Sequence, residues 1–386
     1  MKKSRRNYNY RRFCKSTGLL FALLLILVLI LNLLLPDRGF SPRENRVLAS
    51  SPELSLSQVL SGKYETKYET YVNDQFLLRD FWVTTKATAD YLLGRREENG
   101  VYLGKDRYLM EAFQPAGQDR IDATTDAVTA FAKKHSDLNH YSLIVPTAVN
   151  ILQSKLPAHA PVQNQNSYLD SLKTSLSEAG ITSIDVRKTL SEHDNETLYY
   201  HTDHHWTTLG AYYAYHEAAE VMNLDHTRVS FHSEPVSYSF QGTLSAKSGF
   251  CSADKEELDV YFPDESVPSS VVNYVDEQKK TASFYDTSHL KERDKYALFF
   301  DGNHAQIKIS TPVDSDRSLL VLKDSYANCF VPFLTPYYRT IIMIDPRYYY
   351  GDLEQLIQVE NIQDVLYLYN ANTFFTDTSL HIVLTS

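Results

Sequence analysis

Three short runs near the C-terminus constrain the fold more than any other part of the chain. Residues 318–323 (Ser-Leu-Leu-Val-Leu-Lys), 340–345 (Thr-Ile-Ile-Met-Ile-Asp) and 364–369 (Asp-Val-Leu-Tyr-Leu-Tyr) are apolar with no two-residue alternation. Strands of that kind are covered on both faces, as in parallel sheets flanked by helices. The same rhythm runs upstream. A helix over 121–135 precedes a strand over 141–146, and a helix over 168–179, stopped by Gly180, precedes a strand over 181–186. A helix over 211–222 follows, and 352–357 fits a crossover between the last two strands. The expected fold class is therefore α/β, a parallel sheet with helices on its faces.

Two stretches depart from this rhythm. Residues 64–93 read as helix in one or two pieces, followed by the Asn99-Gly100 turn and a hairpin over 101–110. Residues 225–316 are polar and punctuated, with β-like pieces at 236–240, 258–262 and 271–275; they read as an inserted lobe or a lid. Within them, the glycine-led segment 242–249 would suit a loop bordering a substrate or an ordinary surface loop. With 43% hydrophobic and 22% charged residues, the 386-residue chain is globular in composition and long enough for one large domain or two. The 28 tyrosines, against 2 Trp and 18 Phe, fit half-buried positions or carbohydrate-facing ones.

The N-terminus is of another kind. Residues 18–35 are apolar except for Asn32, near the minimum length for crossing hydrocarbon, and seven Lys or Arg residues with no acid precede them. That asymmetry predicts a cytoplasmic tail over 1–17, a single-pass anchor over 18–35, a stalk over 36–61 and an extracellular domain over 62–386. A cleaved signal peptide is the alternative, but Leu-Leu-Leu-Pro-Asp stands where small residues would mark cleavage. Taking the tail's seven cations away from a formal net charge of −10 leaves about −17 outside, which argues against nucleic acid as a partner. Cys251 and Cys329, the exported cysteines, could pair or stay free; two cysteines make no disulfide framework.

Chemistry concentrates in His201-Thr202-Asp203-His204-His205-Trp206, just before the 211–222 helix. Buried imidazoles need polar partners, and Asp203 two residues before His205 can orient that ring for proton transfer. Ser325, in Lys323-Asp324-Ser325-Tyr326, stands where a buried strand ends, the edge at which parallel sheets place their sites. A helix starting there would turn backbone N–H groups toward developing negative charge. Asp324 or Ser325 capping that helix is the plainer reading. A histidine base makes Ser325 a nucleophile, in the chain order Asp203, His205, Ser325. The ring should then titrate near the ordinary histidine value of about 6.5. Metal ligation by His201, Asp203, His204 and His205 is a rival reading, although no H-E-x-x-H or C-x-x-C spacing accompanies them. Trp206 would face substrate or pack beneath the site.

The Asp-His-His-Trp-Thr segment followed by a helix, with Lys323-Asp324-Ser325-Tyr326 after it, resembles the DHHW family of bacterial surface proteins. That family is similar in turn to the SGNH-hydrolase-like alginate O-acetyltransferases. The likeness extends to Glu44-Asn45-Arg46, to Asn73-Asp74-Gln75-Phe76 with Arg79-Asp80, and to 99–106. It implies a flavodoxin-like parallel sheet, with Ser325 as nucleophile, His205 as base and Asp203 as its partner. Asn303 and Gly302 would contribute the oxyanion hole, although Asp301-Gly302-Asn303 is also an ordinary turn. Arg347 would bind polysaccharide or support the site, or be a surface arginine. The resemblance further implies acetyl transfer to a cell-envelope polysaccharide, or hydrolysis from it. No cofactor is implied, and a multi-spanning membrane acyltransferase would supply the acyl group. A non-catalytic glycan-binding or assembly protein of the same fold is one alternative, and a metal-dependent hydrolase is the other. Lys323 departs from the glycine that usually opens the nucleophile motif.

Overall fold

A computed structural model describes residues 2–41, 46–250, 255–264 and 269–385. Cys251, and with it the expected pairing to Cys329, lies outside the described residues, as do Glu44 and Asn45. The chain divides into two compact units, Met1–Leu92 and Leu93–Ser386.

In the first unit one helix spans Lys2–Leu34. Its Tyr10–Leu34 stretch of 25 residues has a mean hydropathy of 2.8 and an unburied apolar window. At 1.5 Å per residue it reaches roughly 37 Å, enough to cross a hydrocarbon layer. The helix starts earlier than the apolar run because nothing in the basic tail breaks it. Residues 36–61, read as a stalk, contain a strand pair, Phe40–Ser41 with Arg46–Val47, and a helix at Leu56–Leu60. Helices Lys63–Gln75 and Arg79–Leu92 complete this unit, so the boundary expected at residue 62 falls after Leu92.

The second unit is built on an eight-stranded sheet. Its strands are β1 (Asn139–Val145), β2 (Thr182–Ser183), β3 (Val271–Tyr274), β4 (Lys279–Thr281), β5 (Gln306–Ser310), β6 (Ser318–Lys323), β7 (Thr340–Ile344) and β8 (Asp364–Asn370), in the spatial order β4-β3-β5-β7-β6-β8-β1-β2. From β7 to β2 all pairs are parallel. Every residue of β6 and β8 is buried, the double coverage expected of an apolar run without alternation. Helices α1 (Gln118–Lys134), α2 (Gln165–Glu178), α3 (Thr208–Val221) and α4 (Leu353–Val359) lie within two or three residues of their expected positions.

The sheet is mixed rather than parallel throughout. Strand β5 runs antiparallel to β7, and β3 and β4 extend that edge antiparallel in turn. The 225–316 segment is thus neither lobe nor lid alone: its second half widens the main sheet, and its first half forms a ribbon of Phe231–Phe240 against Glu256–Pro263. This has a consequence for the site. Gln306 at the start of β5 lies opposite Ile344 at the end of β7, so the loop leading into β5 sits at the edge where the parallel strands end. Residues 301–303 therefore reach the same edge as Ser325.

Candidate active site

The histidine loop is closed on itself. Tyr199 bridges Trp206, Thr207 N–H donates to Leu198 O at 2.9 Å, and Thr207 caps α3 by accepting from Gly210 N–H at 3.1 Å. A side chain at Gly210 would meet Leu198 O at 2.6 Å, so the closure needs glycine there. The loop is pinned outward as well: Tyr199 Oη donates to Pro146 O beyond β1 at 2.6 Å. The buried Glu256 carboxylate accepts from the N–H groups of His201 and Thr202 and from the Thr202 hydroxyl. His201 itself stacks on Tyr108 at 3.7 Å. It belongs to this clamp and not to the reacting cluster.

Inside the loop the chemistry converges. Asp203 Oδ1 lies 3.1 Å from His205 Nδ1, and His205 Nε2 lies 2.7 Å from Ser325 Oγ. An ionised carboxylate only accepts, so Nδ1 carries the ring proton, and Nε2 accepts from the serine hydroxyl. The three side chains drawn together from the sequence thus form one hydrogen-bonded line across 120 residues. Two further bonds join the same segments: Trp206 Nε1 donates to Tyr326 O at 3.1 Å, and Tyr326 Oη donates to His204 O. Trp206 is fully buried and stacks on Tyr326 and Phe330. It holds the site together from beneath and offers no face to substrate, contrary to the substrate-binding expectation.

Ser325 stands in the turn after β6. Its N–H has no protein partner among the described residues, while Asp324 is fixed by N–H donors from Tyr326 and Asn370, both at 2.9 Å. The expected helix is one turn only, Ala327–Phe330, before a 3-10 turn with Pro332 at its start. The helix expected to aim its N-terminus at the Ser325 hydroxyl is therefore reduced to a single turn. Asn303 is exposed, and its Oδ1 accepts from Lys323 Nζ at 3.0 Å and Asn328 Nδ2 at 3.3 Å. Gly302 has its N–H donated to Phe299 O and its carbonyl held by Asn328 Nδ2 at 3.1 Å. Of the two expected oxyanion contributors, only Asn303 keeps donors to offer. Arg347 grips the buried Asp345 through Nε at 2.8 Å and Nη2 at 2.6 Å, with 32% of its side chain still exposed.

Sequence reasoning missed three neighbours outright. Tyr296 lies flat on the His205 ring at 3.7 Å and 13°, and no pattern around it distinguishes it from the other tyrosines. Glu256 and Asn328 are likewise unmarked. Gly242 had a signal, since it leads the flagged 242–249 segment: a Cβ there would fall 2.1 Å from Asp203 Cβ, so its backbone packs directly on the carboxylate residue.

Burial would raise Asp203, but the imidazoles of His204 and His205 outweigh it and hold the carboxyl well below the usual range. Burial also lowers His205, helped by positive charge on His204, to about 4. His204 behaves oppositely. Burial would depress it, yet the Asp203 charge and hydrogen bond raise it to about 9, an effect screened in part because 31% of its side chain is exposed. One carboxylate serves two rings, and the proton rests on the outer one. Asp203, His204 and His205 also present potential metal-ligating atoms within 4.8 Å of one another, as do Asp286, His289 and Asp301, where Lys279 bonds both carboxylates.

A crystal structure of a DHHW family protein from Eubacterium siraeum superposes with a TM-score of 0.61 at 24% identity, covering 74% of this chain and 95% of that one. Bacillus cereus PatB1 superposes at 0.57 with 22% identity, covering 71% and 97%. In sequence, 159 residues are 24% identical to the probable alginate O-acetylase AlgJ of Pseudomonas aeruginosa, covering 40% of this chain and 41% of that protein. This chain therefore matches less than half of that relative's length. The DHHW protein family model matches residues 99–344, a stretch that holds the histidine loop, the Asp301-Gly302-Asn303 turn and Ser325, and by that match the chain belongs to the DHHW family.

Proposed function

We propose that this is a membrane-anchored serine acyl-ester enzyme that transfers an acetyl group to, or removes one from, a cell-envelope polysaccharide outside the cell. The single observation that carries the reading is the bond from Ser325 Oγ to His205 Nε2, with His205 Nδ1 against Asp203. In this mechanism Oγ attacks the acyl carbonyl carbon while Nε2 takes the hydroxyl proton. The Ser325 N–H and Asn303 Nδ2 stabilise the resulting oxyanion. The intermediate collapses to an acyl-serine, and the leaving oxygen takes its proton from His205. A polymer hydroxyl then attacks the acyl-serine, gives its proton to Nε2 and leaves as the ester, while Ser325 recovers its hydrogen. Water in the same role gives hydrolysis.

The likeness to an alginate O-acetylase supports the acetyl group and a polysaccharide acceptor. The apolar helix supports tethering of the site to a membrane surface with the N-terminus inside. A single helix forms no passage for acyl groups, so a multi-spanning acyltransferase supplies them. The test is turnover of a chromogenic acetyl ester by the full chain in detergent, with and without an O-deacetylated polysaccharide acceptor. Loss of turnover in Ser325→Ala, with wild-type turnover unaffected by chelator, is expected; equal turnover by Ser325→Ala would end the reading.

A further inference from the structure

The mechanism above makes no use of a buried cation close to Ser325. Lys323, at the position where the related nucleophile motif has glycine, is completely buried two residues before Ser325. Its ammonium donates to Asn303 Oδ1 at 3.0 Å and Asn328 Oδ1 at 2.9 Å, with Asp345 Oδ2 at 3.6 Å as its counter-ion. Asp345 is also fully buried and does not depend on Lys323 for compensation, because Arg347 already grips it at two points. Burying an ammonium is costly unless its protons are all bonded, so a position that keeps one asks for a reason.

The contacts supply the reason. An ammonium only donates, so the Asn303 atom facing it is the carbonyl oxygen, and the amide nitrogen points the other way. Asn328 Nδ2 donates to the same oxygen and to Gly302 O, tying the 301–303 turn to the segment that follows Ser325. That turn carries positive φ at Asp301 (56°) and Gly302 (91°), and the Asn303 carbonyl oxygen is held by two donors, of which Lys323 at 3.0 Å is the shorter and the charged one.

We infer that Lys323 is a positioning residue whose buried ammonium locks the Asn303 carboxamide so that Nδ2 faces the oxyanion formed at Ser325. The inference rests on the acyl-ester reading above. It has a direct consequence: whatever Lys323 contributes to the chemical step is contributed through Asn303. The charged groups facing the ammonium are Asp345 and Arg347 beyond β7 and Asp324 beside it on the chain. Burial, the largest influence, lowers Lys323 to about 8. At neutral pH the ammonium is the major form.

A double-mutant cycle on the full chain in detergent tests this, with kcat and KM for an acetyl ester as readouts. Asn303→Ala should lower kcat by ~10²-fold or more, as loss of one oxyanion donor does. Lys323→Met keeps the stem and removes the donor; it should lower kcat by at least ~10-fold with KM little changed. The double variant should be no slower than Asn303→Ala within about twofold. Losses that multiply, or an unchanged kcat in Lys323→Met, would overturn the inference. Should Lys323→Met fail to fold, the alkaline pH profiles of wild type and Asn303→Ala replace it. The wild-type kcat should fall as Lys323 deprotonates, and this limb should vanish in Asn303→Ala. A limb due to His204, near 9, would remain in both; a limb near 8 that is the same in both would overturn the inference. Inactivity of Ser325→Ala in the same assay keeps the two questions apart: if it is as active as wild type, the acyl-ester reading fails first.

Discussion

At the scale of single residues, the two adjacent histidines are shifted in opposite directions, and on the proposed mechanism this sets the pH dependence. A base works only when unprotonated, so turnover should rise as pH climbs through the His205 value and stay level from there to neutral pH, below the alkaline limb set by Lys323. From sequence that rise belonged near 6.5; burial and the neighbouring His204 charge move it down toward 4. A kcat/KM profile should therefore be level between pH 6 and 7.5, with its acid limb below 5. His204→Gln removes the neighbouring charge and should shift the acid limb upward while preserving most of the plateau; an unmoved limb would show that His204 does not tune its neighbour. Ser325→Ala and His205→Ala should each cost ~10³-fold or more, and combining them should cost little further, because they act as one unit. The Asp203-x-His205 spacing made this cluster legible from the chain alone. The stacking of Tyr296 on His205 was not, since nothing in a list of 28 tyrosines says which one meets a ring over 90 residues away.

At the scale of elements, legibility followed burial. Strands β6, β7 and β8 were readable because both faces are covered and their side chains are nearly all apolar. Strand β5, Gln-Ile-Lys-Ile-Ser, alternates and carries two apolar residues in five, and the edge strand β4 carries none; such strands leave a weaker trace. Missing them made 225–316 look like a lid and hid how the 301–303 turn reaches Ser325. The contact between Gly242 and Asp203 is also made between elements, the ribbon side and the histidine loop. Gly242→Ala should push the loop outward, lowering turnover by more than ~10-fold and stability by about 1–3 kcal/mol. Thermal unfolding and acetyl-ester kinetics together check this. Trp206→Phe keeps the stacking but loses the bond to Tyr326 O, and should cost about 1 kcal/mol in chemical denaturation.

At the scale of the whole molecule, the chain joins a 25-residue apolar helix to a unit with the DHHW family's sheet. Membranes from expressing cells should retain the full chain after alkaline carbonate washing, and added protease should reach the second unit only from the outer face; complete release by carbonate would contradict the anchor. The central claim is covalent: acyl groups pass through the Ser325 oxygen. The most direct measurement is mass spectrometry of the protein quenched in acid during turnover of an acetyl ester, followed by peptide mapping. One added acetyl group on the peptide containing Ser325, absent in Ser325→Ala and accumulating in variants slowed at the second step, is the predicted result. Full turnover with no acetyl on that peptide at any time of quenching, or with acetyl on a different residue, would contradict it.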